Sequence, residues 1–177
     1  REKKLLYLSE TDSMTGINNR GSGQRKIKEF LEKKKGGLLC LLDCDKFKTI
    51  NDTYGHAVGD IVLIQLASAL QRACRENDIV MRLGGDEFAM YLPGISDKEQ
   101  SESFFKRLFI QIDKIFIPEM QGEKINVSLG ASLCLDDDKA TFDKLYHEED
   151  AAMYESKKIV GNHAIIYPDL LKKTDEK

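Results

Sequence analysis

The chain has 177 residues, 41% hydrophobic and 32% charged, which fits one globular domain with its own core and a short appendage. A formal net charge of −3 gives no global attraction to duplex nucleic acid or to an anionic membrane, so any phosphate ligand must be held locally. No apolar run approaches the roughly 20 residues that span a bilayer, and Arg1-Glu2-Lys3-Lys4 is not followed by a signal-peptide core.

Cys40, Cys44, Cys74 and Cys134 form no C-x-x-C pair, and two of them lie in an apolar run, so we expect free thiols and a reducing, cytoplasmic setting. Arg1 stands where an initiator methionine would, and residues 1–10, with Leu5, Leu6 and Leu8 among charges, read as the end of a helix arriving from an upstream sensory module. We expect the main domain to cover 11–170 and the tail 171–177 to be frayed.

Residues 11–20, Thr-Asp-Ser-Met-Thr-Gly-Ile-Asn-Asn-Arg, are dense in side chains that bond nearby backbone, and they read as a structured loop. Asn18 or Asn19 is expected to cap a helix running to about Lys35, with Ile27, Phe30 and Leu31 on its apolar face and Gly36-Gly37 ending it. Residues 38–42 are a continuous apolar run, the pattern of a strand buried on both faces, and they end in Asp43-Cys44-Asp45. A carboxylate there is costly unless paired, so a metal ion or an ordered polar network is the economical reading of Asp43. The alternative has Asp43 facing water and Asp45 capping the next helix.

Residues 46–51 read as a short helix and 52–60 as a loop in which Gly55 and Gly59 let backbone approach a ligand. His56 within it reads as a satisfied structural histidine. Asp60 is placed to cap the amphipathic helix that follows, which ends near Cys74. Arg75 and Asp78 offer a guanidinium fork and a carboxylate at a helix-to-strand junction, although a surface ion pair is the commoner meaning of that spacing.

Next comes the centre of the chain, Arg82-Leu83-Gly84-Gly85-Asp86-Glu87-Phe88. Apolar runs at 79–83 and 88–92 flank the two glycines, the pattern of a β-hairpin with a tight turn. Asp86 and Glu87 at its tip would present carboxylates on a rigid support, which suits a hard divalent cation, although the same residues also read as a solvated turn. A helix over 98–117 follows, with Phe104, Phe105, Leu108, Phe109, Ile112 and Ile115 on one face. A period-two strand over 125–133, a helix from Phe142 to about Ile159 and a closing strand over 164–167 complete the chain. These elements predict an α/β (α+β) sandwich: a mostly antiparallel five-stranded sheet covered by helices, with Asp43 and the hairpin tip side by side.

The ordered set of motifs resembles the GGDEF domain of the diguanylate cyclase family. It consists of Asp-x-Met-Thr-Gly-Ile at 12–17, Asp-x-Asp-x-Phe-Lys-x-x-Asn-Asp at 43–52, Gly-His-x-x-Gly-Asp at 55–60, Arg-x-Gly-Gly-Asp-Glu-Phe at 82–88, Ser-x-Gly at 128–130 and the segment from Asp150 to Lys157. The resemblance covers residues 12 to about 162. It implies a fold related to nucleotide cyclases and polymerase palms. It also implies a homodimeric enzyme that joins two GTP into cyclic di-GMP with loss of two pyrophosphates, dependent on Mg²⁺ or Mn²⁺ and inhibited by its product.

Carried over position by position, Asp43, Asp86 and the Cys44 carbonyl match the metal site, with Glu87 beside it or as proton acceptor. Phe47, Lys48 and Lys157 match phosphate-binding positions, Asn51 and Asp60 the guanine readers, and Arg75 and Asp78 the inhibitory product site. Two positions depart from the pattern: Gly161 stands where an arginine is expected, leaving Lys158 as an alternative point charge, and Gly21 replaces the second arginine after Asn19. The competing readings are a catalytically silent receptor for cyclic di-GMP or GTP, against which the intact acids argue, and a cyclase for a hybrid dinucleotide, against which Asp60 argues.

Overall fold

The apolar run after the first helix becomes the middle strand of the sheet. The structure, a computed structural model, describes residues 3, 9–134, 142–157 and 161–166. Strand β1 (Gly37–Cys44) is buried along its whole length, because neighbours cover both edges and helices cover both faces. It pairs antiparallel with β3 (Glu87–Leu92) on one side and β4 (Val127–Cys134) on the other. Strand β2 (Ile79–Gly84) joins β3, and β5 (His163–Ile166) lies parallel to β4. The five-stranded sheet thus has the order β2-β3-β1-β4-β5 and is antiparallel except for its last pair.

Strand alternation sorts the core into two layers. Leu38, Cys40, Leu42, Phe88, Met90 and Leu129 face helices α3 (His56–Ala73) and α4 (Lys98–Asp113), whose Leu66, Leu70, Phe104 and Leu108 fill that side. Leu39, Leu41, Met81 and Tyr91 face the opposite way, against Ile27 of α1 (Arg20–Glu32) and Met153 of α5 (Phe142–Ser156). Each fully buried leucine or phenylalanine contributes about 1.5–3 kcal/mol relative to an exposed one. The sheet's position is therefore strongly specified, and the ends of its central strands are rigid supports.

Several elements differ from expectation. Helix α1 is capped by the Asn19 side chain, which accepts from the Ser22 N–H, and it stops at Glu32. Lys34, with φ 56°, breaks it before Gly36-Gly37 is reached. The segment expected as a loop over 52–60 is mostly helical. Helix α2 (Phe47–Tyr54) runs up to Gly55, and α3 starts directly after it. Only Gly55, at φ 93°, carries the turn. Asp60 therefore lies within the first turns of α3, not at its N-cap, and His56, read as a satisfied structural histidine, is exposed. Helix α4 ends at Asp113, and a 3₁₀ turn at Pro118–Met120 leads towards β4. The expected end of the last helix near Ile159, Lys158, and the tail lie outside the described residues.

Candidate active site

Two strand ends and one helix start converge at one edge of the sheet. In the β1–β3 register Asp43 is opposite Glu87, and in the β1–β4 register it is opposite Ser128. Residues opposite each other share a sheet face, so both lie on the side covered by α1 and α5. The hairpin between β2 and β3 turns at Gly85-Asp86, with φ +151° at Gly84 and +53° at Gly85. Arg82 clamps the turn: its Nε and Nη2 donate to the Gly85 carbonyl at 3.0 and 2.8 Å. Its Nη1 reaches Asp12 Oδ1 at 3.2 Å, and Asp12 in turn accepts from the Thr15 N–H at 3.0 Å and hydroxyl at 2.7 Å.

Asp43 is buried, and Lys157 Nζ lies 2.5 Å from its Oδ2. Its other oxygen, Oδ1, is buried with no hydrogen-bond donor among the described residues. Burial pushes the Asp43 carboxyl up to about 6 against the pull of Lys157, with Asp86 and Asp45 adding to the rise. Burial works against the Lys157 ammonium, but its bond to Asp43 raises it overall. At neutral pH the pair is thus a carboxylate beside an ammonium. Burial lifts the Cys44 thiol to about 12, so this sulfur is inert.

An open cavity of about 730 Å³ adjoins this corner, within the usual range for a small-molecule site. Asp43, Cys44, Asp86 and Lys157 line one wall, and Phe47, Lys48 and Asn51 of α2 another. Lys46, at φ 55°, turns the chain into α2 and gives it no side-chain cap, so the first turn of that helix, whose Phe47 and Lys48 line the cavity, has no side-chain acceptor for its N–H groups. Asp45 is held aside, its Oδ1 accepting from the Ser128 hydroxyl at 2.6 Å. Sequence reasoning did not find Tyr54, Glu123 and Lys124, which also line the cavity. The Tyr54 hydroxyl donates to Glu123 across 69 residues of sequence, a pairing that no local pattern signals.

Asp60 and Glu87 do not line the cavity; Asp60 is exposed, and Glu87 is half-buried on β3. Gly161, at φ 90°, forms part of the wall where the expected arginine would stand, and Lys157 is a cation of the same wall. The chemistry of the donors fits a hard divalent cation: two neighbouring carboxylates, one with an oxygen left without a donor, beside the Cys44 backbone. Among the described residues no group of three or more His, Cys, Asp or Glu side chains is placed to enclose such an ion. That matches the habit of Mg²⁺, which takes one or two carboxylates and completes its shell with water and substrate phosphates.

Arg75 and Asp78 lie elsewhere. They line a second cavity of about 490 Å³ together with Arg107 and Phe104. The alternative of a surface ion pair between their side chains is not what joins them. The Asp78 carboxylate accepts from the Arg75 backbone N–H at 2.7 Å, and burial raises its affinity for a proton. Arg107 stacks over the Phe104 ring at 5.4 Å and donates to the Ala73 carbonyl at 3.0 Å.

Comparison with known proteins agrees with this architecture. The chain is 33% identical over 167 residues to the uncharacterized protein YtrP of Bacillus subtilis, covering 94% of this chain and 28% of YtrP. It is 32% identical over 160 residues to the probable diguanylate cyclase DgcE of Escherichia coli, covering 88% of this chain and 14% of DgcE. The chain therefore spans well under a third of either relative. The crystal structure of the coiled coil and GGDEF domain of DgcB from Caulobacter crescentus, in complex with c-di-GMP, superposes with a TM-score of 0.80 at 25% identity, covering 93% of this chain and 89% of that one. Residues 9–163 match the family described as diguanylate cyclase, GGDEF domain, and this chain belongs to the GGDEF family.

Proposed function

We propose that the chain is a diguanylate cyclase domain that condenses two GTP into cyclic di-GMP and releases two pyrophosphates, working as a homodimer with one GTP per chain. The observation that carries this reading is the Asp43 carboxylate, buried beside Asp86 at the wall of a nucleotide-sized cavity with one oxygen lacking a donor. An isolated arrangement of that kind costs stability, and a cation brought by a polyphosphate removes the cost. Asp43, Asp86 and the Cys44 carbonyl would hold Mg²⁺ or Mn²⁺. When bound, such an ion neutralises phosphate charge and acidifies the attacking hydroxyl.

The chain's own residues do the rest. Lys48 and the uncapped start of α2 receive the triphosphate, as helix N-termini receive anions. Lys157 shares its charge between Asp43 and the phosphates. Asn51 orients the guanine edge from the cavity wall, and Asp60, exposed on α3 outside that wall, accepts from the N–H groups of a base that projects beyond it. Each nucleotide's 3′-hydroxyl attacks the α-phosphorus of the other and gives up its proton to water or to Glu87, which stands opposite Asp43 on β3 outside the cavity lining, and pyrophosphate leaves. Arg75 and Asp78 form the site at which accumulated product inhibits. GTP as substrate and four free cysteines accord with a reducing cytoplasm. Among the described residues no helix is long and apolar enough to cross a membrane.

The test is incubation with GTP and Mg²⁺, with products resolved by chromatography and mass. Cyclic di-GMP and pyrophosphate should accumulate and then stall, and Arg75→Ala should relieve the stall. Asp86→Ala should lower the rate about a hundredfold or more; full activity in that variant overturns the assignment. GTP surviving in a dimeric sample that still binds cyclic di-GMP would make the chain a receptor.

A further inference from the structure

Gly59 is buried in the first turns of α3, and its backbone is helical, so it is not there to supply a positive φ. Its reason is space. A β-carbon at this position would lie 1.8 Å from Asn51 Oδ1 and 2.9 Å from Asn51 Cγ, closer than a β-carbon sits to non-bonded atoms, so the Asn51 side chain would have to move, while the Phe47 ring at 3.4 Å would be in ordinary contact. The Asn51 carboxamide thus occupies the volume that any side chain at residue 59 would need.

The backbone fixes this meeting of the two helices. The Gly55 N–H donates to the Asn51 carbonyl at 2.8 Å, and the Gly59 N–H donates to the Gly55 carbonyl at 3.1 Å, so Asn51 and Gly59 are tied to the same turning residue. The carboxamide is packed but not bonded, since it makes no hydrogen bond among the described residues. It also lines the candidate active-site cavity. A planar amide held by packing on one side, with hydrogen-bonding capacity unused, is set to bond a ligand in one orientation.

We propose that Gly59 is a positioning residue for nucleotide recognition: its missing side chain is the seat of the Asn51 carboxamide, and filling that seat swings Asn51 out of the orientation in which it bonds the base. The proposal rests on the assignment of the cavity to GTP. Asn51 has few staggered alternatives, and none keeps the amide in a volume that a methyl group has taken.

A double-mutant cycle on the 177-residue chain tests this, reading GTP affinity by titration and melting temperature by circular dichroism. Gly59→Ala should weaken GTP binding roughly three- to tenfold, the loss of one neutral hydrogen bond, while the affinity for inorganic pyrophosphate stays the same. Asn51→Ala should weaken GTP to a similar degree. Adding Gly59→Ala to Asn51→Ala should then weaken it no further, because no carboxamide is left to displace.

The melting temperature should change sign between backgrounds. Gly59→Ala lowers it when Asn51 is present, and raises it in the Asn51→Ala background, where alanine's better helix propensity is no longer masked by the clash. If Gly59→Ala alone fails to fold, recovery of the fold in the double variant supports the seat. Wild-type GTP affinity in Gly59→Ala, or an equal loss in both backgrounds, overturns the proposal while leaving the cavity assignment standing. If the unmodified chain binds no GTP at all, the cavity assignment fails and takes the proposal with it.

Discussion

Asp43 is held in a state that folding alone does not favour. Its carboxyl is raised to about 6, chiefly by burial, which means the folded chain prefers it protonated relative to the unfolded chain. Its contribution to stability is therefore fully present below the ordinary aspartate range and is lost as pH rises through about 6. Without metal, the chain should melt at a higher temperature near pH 5 than near pH 7.5, apart from the contributions of other groups. Asp43→Asn isolates the effect: it should flatten this pH dependence, leave the metal-free chain at pH 7.5 as stable as before or more so, and abolish turnover of GTP. Lys157 can accept the loss because its side chain is 46% exposed and can turn to water. Thermal melts of both chains across pH 4.5–8 would check this; a variant that is less stable throughout that range would show Asp43 to be a structural partner of Lys157 and nothing more.

At the scale of elements, the connection that decides the geometry of the hairpin tip is Arg82. Its guanidinium spans the Gly85 carbonyl and the Asp12 carboxylate, with side chains only 15% and 18% exposed. Hydrogen bonds to charged groups are worth about 1.5–3 kcal/mol each when one partner is removed, so Arg82→Ala should cost on that order of stability. Arg82→Lys keeps the charge but cannot serve both partners at once. It should recover part of the stability, while GTP turnover stays low because the turn before Asp86 is loosened. A lysine variant with full activity would mean that the turn holds its shape unaided. Asp12 adds a pH signature. Burial opposes its ionised form, but bonds from Thr15 and the charge of Arg82 outweigh burial and hold it below the usual carboxylate range. Its stabilisation is present at neutral pH and is lost as pH falls through that lowered value.

The same elements show what was legible in the sequence. The all-apolar run before Asp43, the period-two strand before Cys134 and the Gly-Gly hairpin each carry a local pattern, and each became the expected element. The segment from Asn51 to Asp60 was misread because two glycines look alike in a sequence. Gly55 uses its freedom of φ, whereas Gly59 is an ordinary helical residue whose hydrogen side chain makes room for Asn51. Around the cavity, Asp43, Asp86, Lys48 and Lys157, though not Glu123 and Lys124, were visible through motif order. Their pairings were not: Asp12 with Arg82, Asp43 with Lys157 and Tyr54 with Glu123 join residues 69 or more positions apart, where spacing carries no information.

At the scale of the whole molecule, the proposed reaction joins two nucleotides, whereas among the described residues this set of groups lines a single cavity. Each chain supplies a single Asn51, a single Lys48 and a single Asp43–Asp86 corner, so on the proposed reading the attacking hydroxyl comes from a nucleotide held by another copy. The net charge of −3 makes two copies repel weakly. Encounter should therefore limit the rate in dilute solution. Activity per chain should fall in proportion to concentration below the dimerisation range, and added salt should raise it modestly by screening. Joining a parallel two-stranded coiled coil ahead of Arg1 would make the encounter intramolecular, at an effective concentration on the order of millimolar. This fusion should raise activity per chain at nanomolar dilution by orders of magnitude and remove the dependence on concentration. The segment entering at Glu10 is tied to the strand that leads into the hairpin: the Asn19 N–H donates to the Glu10 carbonyl at 2.9 Å, and the Arg82 N–H donates to the Asn18 carbonyl at 2.9 Å. The register of the fused coil should therefore matter, with linkers that differ by one residue, and hence by about 100° of helical phase, giving different activities at equal dimer content. Activity that ignores concentration, fusion and phase alike would mean that a single chain completes the reaction, and the two-chain mechanism would have to be abandoned.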